Sequence, residues 1–428
     1  MKDPEITPRK LLIAVTCLVG ATLVPYVQAV IAPLMMLPMT AAFGWTRTQY
    51  ALATTFMFVS GALTVLIFGR IADRYGSRSI LVAGALCGGA TMLLLSQQDS
   101  QLWKLYLSFA LLGGFGASGL GYTKIIGTLF ARHRGKALAI FGAESTLALA
   151  ALPLLTNSLT TQMGWRGTYV CYAVIMFAMS PVLYFVLRGP GLSMPLQGAA
   201  PSSPAAATPE ATVTEGLTPA QIRRDRLFWF IVLAAVLGRG LYVGLNAHII
   251  AAITDKGFTA TVAARSLSAA TFLGLAGTAV AGFAMDYFRT ARFMSVFSAL
   301  NVVGIFLFAM ASASVGGLPL MITGLALQSA ALAAMIPGTT YLQTRFVGMR
   351  FFGEAFAMFV VVTGVAYGVT PALFALIFDK TGSYALVYWI MIGGAAAAAA
   401  LYMTLGPYRF HTSRSKPQPP PDSSVKVP

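Results

Sequence analysis

The sequence predicts an all-α membrane protein with twelve transmembrane helices in two pseudo-symmetric six-helix halves. Three observations carry this. Of 428 residues, 57% are apolar and only 10% charged, whereas soluble domains are about 25% charged. Apolar stretches of about 20 residues, long enough to cross a bilayer as a helix, recur from Leu11 to Leu405. A Pro-, Ala-, Ser- and Thr-rich stretch over 189–217 splits these runs six and six. A chain of this size has too little interior to hide so many apolar residues from water. Soluble enzymes, secreted disulfide scaffolds and disordered proteins are therefore excluded.

The spans are read at 11–38, 48–69, 79–96, 102–130, 136–160, 167–187, 227–252, 262–284, 292–312, 317–345, 352–378 and 383–405. Helix is the default because backbone in lipid must satisfy its own hydrogen bonds. The ten-residue alternating segments of a barrel are absent. The first run is too long, and lacks the small-residue cleavage pattern, for a signal peptide, so it reads as a retained helix. Residues 1–188 form the first half, 189–226 a linker, 227–406 the second half and 407–428 a Pro/Ser-rich tail. Within the linker, Thr218 and Pro219 have the character of an N-cap and first helical residue, opening a short helix with Arg223, Arg224 and Arg226.

Lysine and arginine set the orientation. With the N-terminus inside, twenty-one of the 29 fall in inner segments and six in outer ones, with Lys124 and Arg239 inside spans. This asymmetry predicts both termini and the linker in the cytoplasm. The net charge of +16 is thus a topology signal with attraction to anionic lipid as a side effect. The basic residues form no continuous face, so nucleic acid is not an expected partner. Cys17, Cys87 and Cys171 lie inside spans without metal spacing or a disulfide framework and read as small packing residues.

The two halves share sequence features. Gly69-Arg70-Ile71-Ala72-Asp73-Arg74-Tyr75-Gly76-Ser77-Arg78, between spans two and three, corresponds to Gly282 through Asp286 between spans eight and nine, followed by Arg289 and Arg292. Both contain Gly-x-x-x-Asp, at an offset of 213 residues. Arg134-Gly135-Lys136-Ala137-Leu138-Ala139 recurs as Phe352-Gly353-Glu354-Ala355-Phe356-Ala357, at an offset of 218. Parallel repetition of this kind marks transporters whose site lies at the midplane between matching halves.

The string from Gly69 to Arg78 resembles the loop 2–3 signature of the major facilitator superfamily. Phe43-Gly44-Trp45-Thr46-Arg47, Arg134-Gly135-Lys136-Ala137 and the segment from Thr218 to Trp229 are similar to the bacterial monocarboxylate/oxalate porter branch. The resemblance covers about residues 10–405 and implies the major facilitator fold. It also implies that Gly69, Asp73, Arg74, Gly76, Arg78 and Asp286 bias alternating access, with Asp73 meeting the start of span eleven near Gly353 and Glu354 when the cytoplasmic side is closed. A carboxylate suits the positive end of a helix. Topology anchoring is the plainer reading for Arg70 and Arg78.

Ionisable residues within spans are functional candidates because burying them costs a few kcal/mol. Arg239 lies about 18 Å from the inner end of span seven at a rise of ~1.5 Å per residue. Gly238 and Gly240 flank it. Its planar donor fork suits a carboxylate or phosphate; the structural alternative is an arginine that pairs with span carbonyls or stabilises the interface between halves. Lys124 and Glu144 lie roughly 10–12 Å deep in spans four and five. They read either as a buried bridge or as a proton-linked gate with Glu144 as the coupling residue. Tyr122 follows a run of glycines that permits close helix approach. The porter resemblance makes it a substrate contact; otherwise it is a packing aromatic. Gln28, Asn246, Tyr341, Gln328 and Gln343 are weaker cavity candidates, and His248 is expected at a solvated or lipid-interface position.

One departure narrows the resemblance. Many carboxylate porters of this type carry an arginine eight residues before the second-half aspartate, where this chain has Thr278, and a basic residue in span one, where it has none. This departure weakens the case for simple lactate-like substrates, and a larger or aromatic acid, held by one charge plus apolar walls, fits equally well. The expected function is secondary transport of a small organic anion across the plasma membrane, with proton symport as the candidate coupling, no cofactor and a monomeric state. The alternative is proton-coupled efflux of drugs or other amphiphiles, against which span five lacks a Gly-rich run ending in Gly-Pro. A polytopic membrane enzyme is disfavoured by three dispersed histidines and no nucleophile–base pair. No nucleotide-binding loop appears.

Overall fold

A computed structural model describes residues 7–130, 141, 143–188, 216–288, 290–314, 317–348 and 350–410. The repeat 134–139 lies outside the described residues, as do the side chains of Gln28, Arg70, Asp73, Glu144, Thr278 and Asp286 and the surroundings of Gly69.

The described chain is helical at each expected span. Span one is two helices, Pro8–Leu23 and Pro25–Phe43, broken where Pro25 lacks the N–H that would continue the ladder. Span two is Arg47–Tyr75 and span three Ser77–Ser96. Span four is Leu102–Gly116, a 3₁₀ turn over Ala117–Gly119, and Leu120–Leu129. Spans five and six lie on one run, Ala143–Val186, divided at Gly164, whose φ of 69° only glycine adopts freely. The linker helix is Pro219–Arg224, with Thr218 and Gln221 forming a capping box. Span seven comprises Arg226–Ala235, a π turn over Val236–Gly240, Leu241–Asn246 and Ile249–Thr254. Ala260–Tyr287, Phe293–Met310, Gly317–Phe346, Phe352–Thr381 and Ala385–Thr404 complete spans eight to twelve.

Several helices outrun the apolar segments that predict them. Span two continues to Tyr75, so Gly69 through Tyr75 are the last turns of a helix and not a loop. The turn reduces to Gly76, at φ 81°. Hydropathy reports where lipid contact ends, whereas a helix continues past the bilayer until a residue such as Gly76 reverses the chain. The second-half counterpart, Gly282 through Asp286, is likewise on helix Ala260–Tyr287.

Large apolar side chains point outward around the bundle, among them Leu63, Val296, Val361 and Phe283, the last 77% exposed. In water so wide an apolar surface would drive association; in lipid it is the matched surface. Inside, small residues let backbones touch. A Cβ at Gly113 of span four would lie 1.9 Å from the Met57 carbonyl oxygen of span two, and one at Gly277 of span eight 2.1 Å from the Ala330 carbonyl oxygen of span ten. Gly61 and Gly274, also 213 residues apart, face the same partner spans, against Gly113 and Ser329 respectively. The offset that matches Gly69 with Gly282 in sequence therefore also matches a packing seam in space.

The halves meet through spans two with eleven and five with eight. Thr55 Oγ1 donates to the Gly368 carbonyl at 2.5 Å, and Asn157 Nδ2 to Thr261 Oγ1 at 3.2 Å. The start of span two and the ends of spans seven and eleven share one face, opposite the N-terminus, here termed the far face.

Candidate functional site

Arg239 sits on the π turn of span seven, whose Leu241 N–H bonds back to the Val236 carbonyl. Such single turns widen the helix and re-aim side chains, often at functional sites. Spans ten and eleven pack closely beside it: a Cβ at Gly238 would lie 3.3 Å from Met335 Sδ and one at Gly240 3.4 Å from Ala366 Cβ. Thr370 Oγ1 ties span eleven to the turn by donating to the Gly240 carbonyl at 2.9 Å. The half-buried guanidinium lies 5.7 Å from the Tyr367 ring centroid. Among the described residues no carboxylate lies within ion-pair distance of it. Tyr367 also meets Phe58 of the first half edge-on, centroids 6.3 Å apart. The ring thus links the mid-span arginine to the seam between halves.

Above that seam the far face is latched. Arg47 Nη1 and Nη2 form a two-pronged pair with Asp255 at 2.6 and 3.0 Å. Nη1 also donates to Tyr384 Oη at 3.0 Å, and the guanidinium stacks 3.7 Å from the Phe378 centroid. The Arg47 side chain is 14% exposed and that of Asp255 35%, so the pair is partly shielded from water and stronger than a fully open surface pair. Asp379, at the end of span eleven, accepts from the backbone N–H groups of Arg47 and Thr48 at 3.3 and 2.9 Å. A carboxylate from one half therefore caps the positive helix end of the other.

His248 corrects an expectation. It is fully buried, not at a solvated or lipid-interface position. Its Nε2 is 2.8 Å from the Pro371 carbonyl and its Nδ1 3.1 Å from Tyr384 Oη. Span seven breaks at this residue, which turns the ring between spans eleven and twelve instead of toward lipid.

The near face shows no such latch among the described residues. Arg74 is exposed, 5.4 Å from the Tyr75 ring centroid. Arg78 stays within the first half, 5.1 Å from the Tyr184 ring. Glu354, at the start of span eleven, pairs with Arg223 of the linker helix at 3.3 Å. Arg409 pairs with Asp225 at 2.7 Å, holding the segment after span twelve to the same second half.

The remaining candidates are dispersed. Tyr122 is fully buried against span one, where a Cβ at Gly20 would lie 2.7 Å from its hydroxyl. Lys124 and Asn246 are half-buried. Tyr341 joins an aromatic group near the opposite face, 6.4 Å from Phe293, 5.9 Å from Tyr408 and 4.8 Å from the Arg345 guanidinium. Gln328 Nε2 lies 3.4 Å from the Gly304 and Gly324 carbonyls at the span nine–ten contact. Gln343 is buried, both amide ends without a partner among the described residues. Sequence reasoning missed Tyr367, Thr370 and the whole far-face latch. Arg47 alone carried a signal, as the last residue of the string after span one.

A helical bundle closed at one face over a mid-span arginine, with nine helices among the described residues long and apolar enough to cross a membrane, has the architecture of a multi-pass membrane transporter. The family model described as Major Facilitator Superfamily matches residues 17–316, and the chain belongs to that superfamily. An uncharacterised MFS-type transporter of Bacillus subtilis (strain 168), YcxA, is 28% identical over 159 residues, covering 36% of this chain and 39% of that protein. Monocarboxylate transporter 3 of Rattus norvegicus is 29% identical over 128 residues, 28% of this chain and 26% of that one. Multidrug resistance protein MdtG of Salmonella choleraesuis (strain SC-B67) is 28% identical over 145 residues, 34% and 35% of the two chains. The matches thus span between about a quarter and two-fifths of these relatives' lengths. In fold, the chain superimposes on a bacterial homologue of the human lysosomal transporter Spinster, inward-facing and unoccupied, at a TM-score of 0.71. That pair shares 15% identity, covering 93% of this chain and 97% of the other.

Proposed function

We propose that this transporter is a secondary carrier of the plasma membrane that moves a small organic anion of the carboxylate class by alternating access. The observation that carries the reading is Arg239: a guanidinium at mid-span, with an aromatic ring beside it and no carboxylate partner among the described residues. A charge held there in low dielectric is most favourably compensated by a ligand of opposite sign. The planar fork accepts a carboxylate through two parallel hydrogen bonds. The Tyr367 ring supplies an apolar wall for the substrate's carbon skeleton, which suits aromatic or larger acids better than lactate-like ones.

With the excess of Lys and Arg placing the near face in the cytoplasm, this conformation is closed outward and loads or releases substrate inward. Tyr122, Lys124, Gln28, Asn246 and Tyr341 are the further candidates for the substrate path, and Glu144 with Lys124 the candidate proton couple. Gly69, Asp73, Arg74, Gly76, Arg78 and Asp286 act in this reading on the cytoplasmic closure. The carrier works as a monomer with both termini cytoplasmic. The likeness to monocarboxylate transporter 3 favours the acid reading; that to MdtG keeps drug efflux as its rival.

Proteoliposome uptake separates them. Small, aromatic and bulky carboxylates are offered with and without an inward proton gradient. Gradient-stimulated uptake of one acid supports organic-anion symport. Silence across the panel with confirmed insertion, together with gradient-driven export of amphiphilic cations, overturns it in favour of efflux.

A further inference from the structure

The far-face latch contains a chain of hydrogen bonds whose direction is set at both ends. The Pro371 carbonyl only accepts, so His248 Nε2 carries the proton in their 2.8 Å contact. A neutral imidazole then has a bare Nδ1, which accepts from Tyr384 Oη at 3.1 Å. With its one hydrogen committed to His248, the Tyr384 oxygen accepts from Arg47 Nη1 at 3.0 Å, while the same guanidinium grips Asp255. Every member is satisfied for one protonation state of His248, the neutral one. A second proton, on Nδ1, turns its acceptor into a donor. Tyr384 then faces two cationic donors and its own hydrogen loses its acceptor, in a buried site where an unmade bond costs about 1–3 kcal/mol.

A route for that proton is present. A cavity of about 300 Å³ opens at the far face and is lined by Asp255, Lys256, Phe378, Tyr384, Tyr388 and Trp389. It reaches the tyrosine and the acid of the latch without crossing the seam between halves. Tyr384, Arg47 and Asp379 are the titratable and charged groups that face His248, with Asp255 reached through Arg47. His248 is the one group among them whose unperturbed titration falls near neutrality.

We infer that His248 is a proton-binding site, loaded from the far face through the Tyr384 vestibule, whose occupancy releases the Arg47 latch between the halves. The proton thereby favours the conformation open at that face. The inference concerns the gate alone and stands whether or not the substrate is an organic anion.

The test uses the full chain in lipid nanodiscs without substrate. Spin labels are placed at Gln162→Cys and Lys380→Cys, both exposed at far-face ends of opposite halves, with Cys17, Cys87 and Cys171 replaced by alanine. Lowering the pH from about 7.5 to about 5, which leaves the carboxylates ionised, is expected to raise the long-distance fraction at least ~3-fold. In His248→Gln that fraction is expected to stay constant. Tyr384→Phe, which keeps the ring but cuts the link from His248 to Arg47, is expected to give a longer-distance population that no longer responds to pH. A pH-independent wild type overturns the inference, as does a full response retained in either variant. Because the readout needs no transport, failure of the anion reading leaves this result interpretable.

Discussion

The Arg239 guanidinium lies 5.7 Å from the centre of the Tyr367 ring, and the Phe58 ring of the other half lies 6.3 Å from that same ring. A ligand bound at Arg239, as proposed, would meet a side chain that is part of the closed seam. In the proposed reading, occupancy of Arg239 and closure of the seam are coupled through this one aromatic ring.

This relationship makes the substitution series at Arg239 informative. Arg239→Ala is expected to lower kcat/KM for uptake by about 100-fold, since the charge and the fork both go. Arg239→Lys keeps the charge without the planar fork and is expected to retain an intermediate rate. Tyr367→Phe should be nearly silent, because the ring and not the hydroxyl makes both contacts; Tyr367→Ala should impair transport. Equal rates for Arg239→Ala and wild type, with equal amounts of folded protein, would remove Arg239 from the site.

Much of this architecture was legible in the sequence, and for identifiable reasons. Apolar run length reports bilayer thickness, and nine helices among the described residues are long and apolar enough to cross a membrane. The 213-residue offset shared by Gly69 and Gly282 reported the repeat, and Gly61 with Gly274 shows that it is a packing repeat as well. Other features have no one-dimensional signature. The π turn at Arg239 changes the backbone ladder without altering hydropathy. Arg47 and Asp255 are 208 residues apart and their pairing exists only once the halves close. His248 was misplaced because depth along a helix says nothing of which way a broken helix turns its side chain.

Asp379 supplies a second prediction. It caps the start of span two from the end of span eleven, while the motif at the end of span two points, by its resemblance, to Asp73 meeting the start of span eleven. These two antiparallel helices would then carry reciprocal caps at opposite faces that hold in alternate conformations. Asp379→Asn keeps the hydrogen-bond acceptor but loses the charge that favours the helix N-terminus, an effect of about 0.3–1 kcal/mol. It is expected to raise the far-open population about two- to fivefold in the same label-distance measurement. An unchanged distribution would reduce Asp379 to an incidental contact.

Lys256, in the loop after span seven, gives a pH prediction. Its Nζ donates to the Ala309 and Ala311 carbonyls at 2.8 and 3.0 Å, and burial pushes the ammonium down to about 8. An unfolded lysine keeps its proton to about 10.4. Between those pH values the unfolded chain binds more protons, so stability rises with pH there; below about 8 both states are charged and the slope vanishes. Wild type is therefore expected to gain in thermal stability on Lys256→Met between pH 8 and about 10. Parallel curves for the two proteins would show that Lys256 is not held in this environment.

The glycine seams predict which small residues matter. A Cβ at Gly113 falls 1.9 Å from a backbone oxygen and one at Gly277 falls 2.1 Å from another; neither oxygen moves without shifting a helix. Alanine at either position should destabilise the protein by about 1–3 kcal/mol, the usual range for overpacking. Gly393 sits on span twelve with nothing within 4 Å of its Cβ direction, so Gly393→Ala adds a methyl without a clash and removes a glycine from a helix interior, a change worth about 0.5–1 kcal/mol in the other direction. Thermal unfolding in detergent distinguishes the cases, with Gly113→Ala and Gly277→Ala below wild type and Gly393→Ala at or above it. Because Gly113 packs on Met57 and Ser60 and Gly277 on Ala330, with no shared neighbour, their double variant should lose close to the sum of the single losses. A loss well short of that sum would mean that one helix shift relieves both seams, and that the halves move as one body.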